Sequence, residues 1–378
     1  MPQPRNVFLF TDSSGYGGAE KALLMLIRGL NRELWSPTLV FHESAGIEPL
    51  VAGAAAASCE LVPVPAMPEG LVGARGSLRL AALLRRRRPH VFHAHLTWPL
   101  ACKFGLAAAV AARTPAIVAT HHLVPPFRLM RGARVQQRLL GSRLVRRIAV
   151  SGEIARRLEA LFGWPRQQIT VVYNGIGVEV QPATADASLR AQLLGNHTAV
   201  VLVPARLDPL KGHEFLLEAA RRLENVSVVL AGEGPERARL EQLAEKLGVS
   251  ARVTFLGFRS DIPQLLACAD VVVLPSLAEG LPLAVLEAMS AGTPLVATAI
   301  GGTDEAVTDG VTGLLVPPRD GNALAEAVER VLADPEKAQR RADAAAARVA
   351  TEFGVERMVA RVESVYDEQL KRVRRAQD

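Results

Sequence analysis

Short apolar runs alternate along the chain with longer stretches of helical periodicity. Runs at Val7–Phe10, Thr38–Phe41, Glu60–Val64, Val91–His95, Ile117–Thr120, Arg146–Ser151 and Ile169–Tyr173 predict a first set of strands. They lack the in–out alternation of a one-sided sheet, so they predict parallel strands covered by helices on both faces. The rhythm breaks over residues 176–198, and residues 181–198 read as a linker. It restarts with strands at Ala199–Pro204, Ser227–Gly232, Arg252–Leu256, Asp270–Pro275, Pro294–Thr298 and Gly313–Val316. Helical patterns cover residues 322–333 and 335–352, and a charged amphipathic helix ends the chain. The βαβ rhythm predicts an α/β fold with two doubly wound, Rossmann-like domains at residues 1–180 and 199–352. The last helix, 353–378, is expected to pack back on the first domain.

Composition sharpens this picture. A chain of 378 residues suits two or three domains, and 49% hydrophobic residues allow a core in each. The three cysteines (Cys59, Cys102 and Cys268) are too few and too scattered for a disulfide framework or a cysteine-based zinc module. The first residues carry no signal-peptide pattern, and no apolar stretch is long enough to span a bilayer. A soluble, cytoplasmic protein is therefore expected. The net charge of +6 is unevenly spread: residues 1–180 carry +12 and residues 181–378 carry −6, which implies different partners for the two halves.

Ligands of open parallel sheets bind beyond the carboxyl ends of the strands. There, in the second domain, Arg206 and Lys211 sit on one turn and suit a diphosphate, one as a planar fork and one as a point charge. Gly232-Glu233-Gly234 presents a carboxylate on a tight turn. Glu279 precedes a helix with Pro282 in its expected first turn, and Glu287 follows inside that helix. Amides of that helix start and of Gly301-Gly302 predict an anion site that needs no metal. Two carboxylates flanking it suit vicinal sugar hydroxyls.

These motifs, with Gly17-Gly18-Ala19-Glu20 after the first strand, resemble those of retaining glycosyltransferases of the GT-B architecture, specifically family 4 (glycosyl transferases group 1). The resemblance covers nearly the whole chain and implies two domains facing across a cleft. It implies that Arg206 and Lys211 stabilise the leaving diphosphate, that Glu287 holds the ribose, and that Glu279 contacts the transferred sugar. His121 matches the family's active-site histidine. Gly17 and Gly18 would close over the donor, and Gly301 and Gly302 would complete the phosphate site. Gly257 and Phe258 would lie against the base, while Glu233, Leu281, Pro282 and Leu283 would line the donor pocket. The implied donor is a UDP- or GDP-linked sugar, with no cofactor or metal.

The acceptor is not legible. Its site is expected in the first domain, near Ser14, His95, Trp98 and Arg128. Phe127 to Arg147 holds seven arginines, and with Arg85–Arg88 it suits peripheral contact with an anionic membrane surface. A solvated basic face is the plainer alternative. Nucleic acid is disfavoured by the scarcity of aromatic residues. His93 and His95 share a strand face, yet no nearby acid completes a zinc set. Two other readings stay open: an epimerase or sugar phosphorylase on the same frame, and a non-catalytic subunit of a glycosylation complex.

Overall fold

The computed structural model describes residues 3–68, 70–124, 145–177 and 185–375. It divides into two compact units, one of residues 1–175 with 355–378, the other of residues 176–354. The first contains a seven-stranded sheet in the order β3-β2-β1-β4-β5-β6-β7. Its strands are β1 (Arg5–Thr11), β2 (Trp35–His42), β3 (Glu60–Val64), β4 (Val91–Leu96), β5 (Ala116–His121), β6 (Val145–Ala149) and β7 (Ile169–Val171). The second contains a six-stranded sheet in the order β10-β9-β8-β11-β12-β13. These are β8 (Ala199–Val203), β9 (Val226–Ala231), β10 (Val253–Gly257), β11 (Val271–Leu274), β12 (Leu295–Thr298) and β13 (Leu314–Val316). Every ladder is parallel.

Each of these runs forms a strand, and the central strands, buried on both faces, need no polar alternation, while β3 and β10 at the sheet edges are more exposed. Phe8 and Phe10 face one core, and Val7 and Leu9 face another across the same sheet. In both sheets the strand order reverses once, between β1 and β4 and between β8 and β11. At such a point the connections leave in opposite directions and open a crevice at the carboxyl edge.

The final helix, Val355–Arg375, belongs to the first unit. Met358, Val359, Val362, Val365, Tyr366 and Leu370 form one apolar stripe buried in that unit's core. The ring of Tyr366 meets Trp35 edge-on at 5.1 Å, and Arg5 binds Asp367 at 2.6 Å.

The segment read as a linker contains a helix, Ala187–Leu194. Its apolar residues do not gather on one face, so the pattern gave no helical signal. What stabilises it lies partly outside it. Asp186 accepts from the amides of Ser188 and Leu189, and Arg190 pairs with Asp270 at 2.9 Å.

Candidate active site

In the second unit, the loops after β8, β11 and β12 meet backbone to backbone at the strand-order reversal. Asp208 caps the short turn Pro209–Lys211 by accepting from the Leu210 amide at 3.0 Å. The carbonyl of Leu210 then accepts from the Leu277 amide at 2.7 Å, joining the β8 and β11 loops. Gly212 has φ +64°, and a Cβ there would lie 2.1 Å from the Pro275 carbonyl oxygen. Gly301 has φ +55°, and its Cβ would lie 2.1 Å from the Glu279 carbonyl oxygen. Both positions demand glycine for conformation and for space. The β9 turn joins the same frame, since the Glu233 carbonyl accepts from the Leu207 amide at 3.0 Å.

This frame brings Lys211 and Glu279 together. Lys211 Nζ donates to Glu279 Oε1 at 2.5 Å, and Ser276 Oγ donates to the same oxygen at 2.7 Å. Ser276 is 2% exposed, and its carbonyl accepts from Thr298 Oγ1 of β12 at 2.6 Å. Sequence reasoning missed Ser276 and Thr298, because an isolated hydroxyl carries no pattern until burial gives it a partner. Arg206 is exposed, and its guanidinium makes no hydrogen bond or ion pair among the described residues. An exposed guanidinium thus shares the loop after β8 with the ammonium of the Lys211–Glu279 pair.

Glu287 lies partly buried on the helix Leu283–Ser290. Pro282 is the N-cap of that helix rather than a first-turn residue. Its ψ of 123° is extended, while buried Leu281 and Leu283 fix the loop on either side. Gly302 is the N-cap of a four-residue helix, Thr303–Ala306. The Glu233 carboxylate is taken by Arg237 at 3.1 Å, and Arg237 also holds Glu241. Gly257 ends β10 and bridges to Gly232, with Phe258 beyond it 63% exposed.

The remaining expected residues lie in the first unit. Gly17 caps the helix Gly18–Gly29, its amide donating to Glu20 at 2.9 Å. Ser14 is exposed, and its carbonyl accepts from Ser44. Trp98 is partly buried. Arg128 lies outside the described residues, as does most of the basic segment 127–147. His95 and His121 are buried, a more enclosed setting than a substrate-contact role suggests.

His93, His95 and His122 cluster at the ends of β4 and β5, while His121 packs against Trp164. His93 Nδ1 meets Tyr366 Oη at 2.6 Å, and His93 Nε2 meets Thr120 Oγ1 at 2.7 Å. His95 Nδ1 lies 3.2 Å from His122 Nε2. His93, His95, Thr120, His122 and Asn174 help line a cavity of about 20 Å³, which fits one water. Among the described residues, neither ring nitrogen of His121 has a hydrogen-bond partner. Burial, with the Arg147 charge second, pushes the pKa of His121 down to about 3. Burial likewise lowers His93 to about 3 and His122 to about 4. These imidazoles are neutral at pH 7. Among the described residues, no group of three or more His, Cys, Asp or Glu could hold a metal ion.

The family model for Glycosyltransferase Family 4 matches residues 16–180, and that for Glycosyl transferases group 1 matches residues 186–348. D-inositol 3-phosphate glycosyltransferase of Mycolicibacterium smegmatis is 38% identical over 208 residues, covering 52% of this chain and 48% of that protein. The chain thus spans about half the length of the curated relatives it matches. Among solved structures, Anabaena HepE in complex with UDP-glucose has a TM-score of 0.85 at 24% identity, covering 96% of this chain and 99% of that one. A Rickettsia africae glycosyltransferase has a TM-score of 0.83 at 18% identity, covering 98% and 100%. The fold is GT-B, and the chain belongs to the family 4 glycosyltransferases, with a group 1 second half.

Proposed function

We propose that this protein is a retaining glycosyltransferase that moves a sugar from a nucleotide-diphosphate donor to an acceptor hydroxyl. The observation that carries this reading is the Lys211–Glu279–Ser276 cluster at the strand-order reversal of the second sheet, with Arg206, which has no partner among the described residues, on the same loop as Lys211. A diphosphate competes with Glu279 for Lys211, and Arg206 grips it as a fork. Glu279, released from Lys211 but still oriented by Ser276, accepts from hydroxyls of the transferred sugar. Glu287 takes the ribose hydroxyls, and the amides of Gly301 and Gly302 complete the phosphate site. UDP is the first donor to test, since HepE was solved with UDP-glucose.

In the reaction, the bond from the anomeric carbon to the phosphate oxygen breaks, and its electron pair leaves with the diphosphate. The acceptor oxygen bonds to the anomeric carbon on the same face, and its proton passes to a phosphate oxygen. The protein contributes charge stabilisation and positioning. Arg206 and Lys211 supply the charge that a divalent metal supplies elsewhere. Ser14 and Trp98 of the first unit are the proposed acceptor contacts.

The test is an assay of purified protein with UDP- and GDP-sugars and a panel of acceptors that includes D-inositol 3-phosphate. The reading expects acceptor-dependent release of nucleoside diphosphate, a product of retained anomeric configuration, and activity that survives chelator. An inverted product, an epimerised nucleotide sugar, a sugar phosphate, or complete loss with chelator would overturn it.

A further inference from the structure

The helix Leu71–Arg87, between β3 and β4, has an outer face unlike a solvated one. Of the four most exposed large apolar side chains among the described residues, three lie on it: Leu71 at 81%, Leu78 at 68% and Val72 at 62%. At 100° per residue, Leu71, Arg75, Leu78, Arg79, Ala82 and Arg86 fall on one stripe, with Val72 at its margin. The three arginines of this stripe are exposed. None of the three makes a hydrogen bond or ion pair among the described residues. Arg85 and Arg87, by contrast, are committed to the Ala111 carbonyl and to Glu60.

The helix cannot turn this face inward. Leu80, Ala81 and Leu84 hold the opposite side in the core, and Ser77 Oγ donates to the Phe104 carbonyl at 2.8 Å. At Gly73 the Phe104 ring and the Pro68 carbonyl leave no room for a Cβ. The outward leucines are therefore fixed where they are.

Charge points to the occupant. From residue 70 to residue 152 the sequence contains no Asp or Glu but fifteen Lys and Arg. Leucines beside arginines, without an acidic neighbour on the helix, match a surface that offers negative headgroups above apolar chains. A polyanion such as nucleic acid would use the arginines and leave the leucines in water. No helix among the described residues is long and apolar enough to cross a membrane, so any contact made here lies in the plane of the surface.

We propose that the outer face of the helix Leu71–Arg87 docks the first unit on an anionic lipid bilayer. This goes beyond the proposed transfer reaction, and its readout does not depend on that reaction. The test is co-sedimentation of the full chain with phosphatidylcholine vesicles containing 30% phosphatidylglycerol, and with phosphatidylcholine alone, at low salt. The native protein should bind the anionic vesicles and not the neutral ones. The Arg75→Gln/Arg79→Gln/Arg86→Gln protein should bind roughly 100-fold more weakly, at a factor of about five per surface arginine. The Leu71→Ser/Val72→Ser/Leu78→Ser protein should bind about tenfold more weakly, and high salt should then remove the remainder. Thermal melts check that both variants fold, as expected for exposed sites. Absence of native binding, equal binding to neutral vesicles, or a serine variant that binds as the native protein does would each overturn the proposal. The last outcome would leave only a cationic surface open to any polyanion.

Discussion

The two units hold their candidate residues in opposite physical states. In the first, His93, His95, His121 and His122 are buried and neutral, and one is tied to the final helix through Tyr366. In the second, Arg206, Lys211 and Glu279 are charged groups on loops, held by a backbone frame that does not depend on their side chains. The histidines therefore belong to the fold of their unit, and the charges are nearly free of theirs. Substitutions should separate rate from stability accordingly.

The largest expected effect is on rate. Lys211→Ala should lower kcat by about 10²–10³, the scale for removing one preorganised charge from a transition state. Its melting temperature should change little, because Lys211 is a loop residue outside the core. Near-normal turnover at saturating donor would break the contrast between the units.

Acid should expose the other half of the comparison. Burial lowers the pKa of His42, His93, His95, His121 and His122 in the first unit, but only of His213, to about 4, in the second. The unfolded chain binds protons near pH 6.5, where the folded one does not. Stability is therefore complete above about pH 6.5, declines progressively as pH falls below it, and levels off only below the folded values of about 3 to 4. Calorimetry from pH 7.5 to 4.5 should show the first unit's transition falling faster than the second's. Parallel decline would contradict the assignment.

Two smaller effects refine the picture. Tyr366→Phe strips a buried partner from His93 and should cost about 1–3 kcal/mol, read as a lower melting temperature of the first unit alone. Ser276→Ala frees Glu279 to rotate and should lower kcat about tenfold with little change in melting temperature. Ser276→Thr, which keeps the hydroxyl, should recover part of that rate.

How much was legible follows the same division. Every strand could be read from its apolar run, most plainly the central ones, where burial on both faces writes itself into contiguous sequence. The loops after β8, β11 and β12 could be found as well, since Gly, Pro and charge cluster there. Missed were the features that tertiary contact creates. The helix Ala187–Leu194 depends on Asp270, eighty residues from Arg190, and Ser276 matters only because Glu279 folds over it. The sharing of a strand face by His93 and His95 was readable. Their pairing with Tyr366 and His122 was not, because the final helix and β5 supply those partners.

The most direct test of the diphosphate site is calorimetric titration of UDP and GDP into the native chain and the Arg206→Ala/Lys211→Ala chain. The account predicts that one of them binds the native protein and that the double variant binds it at least 100-fold more weakly. Binding of equal strength in both chains, or no binding of either nucleotide to the native chain, would contradict it.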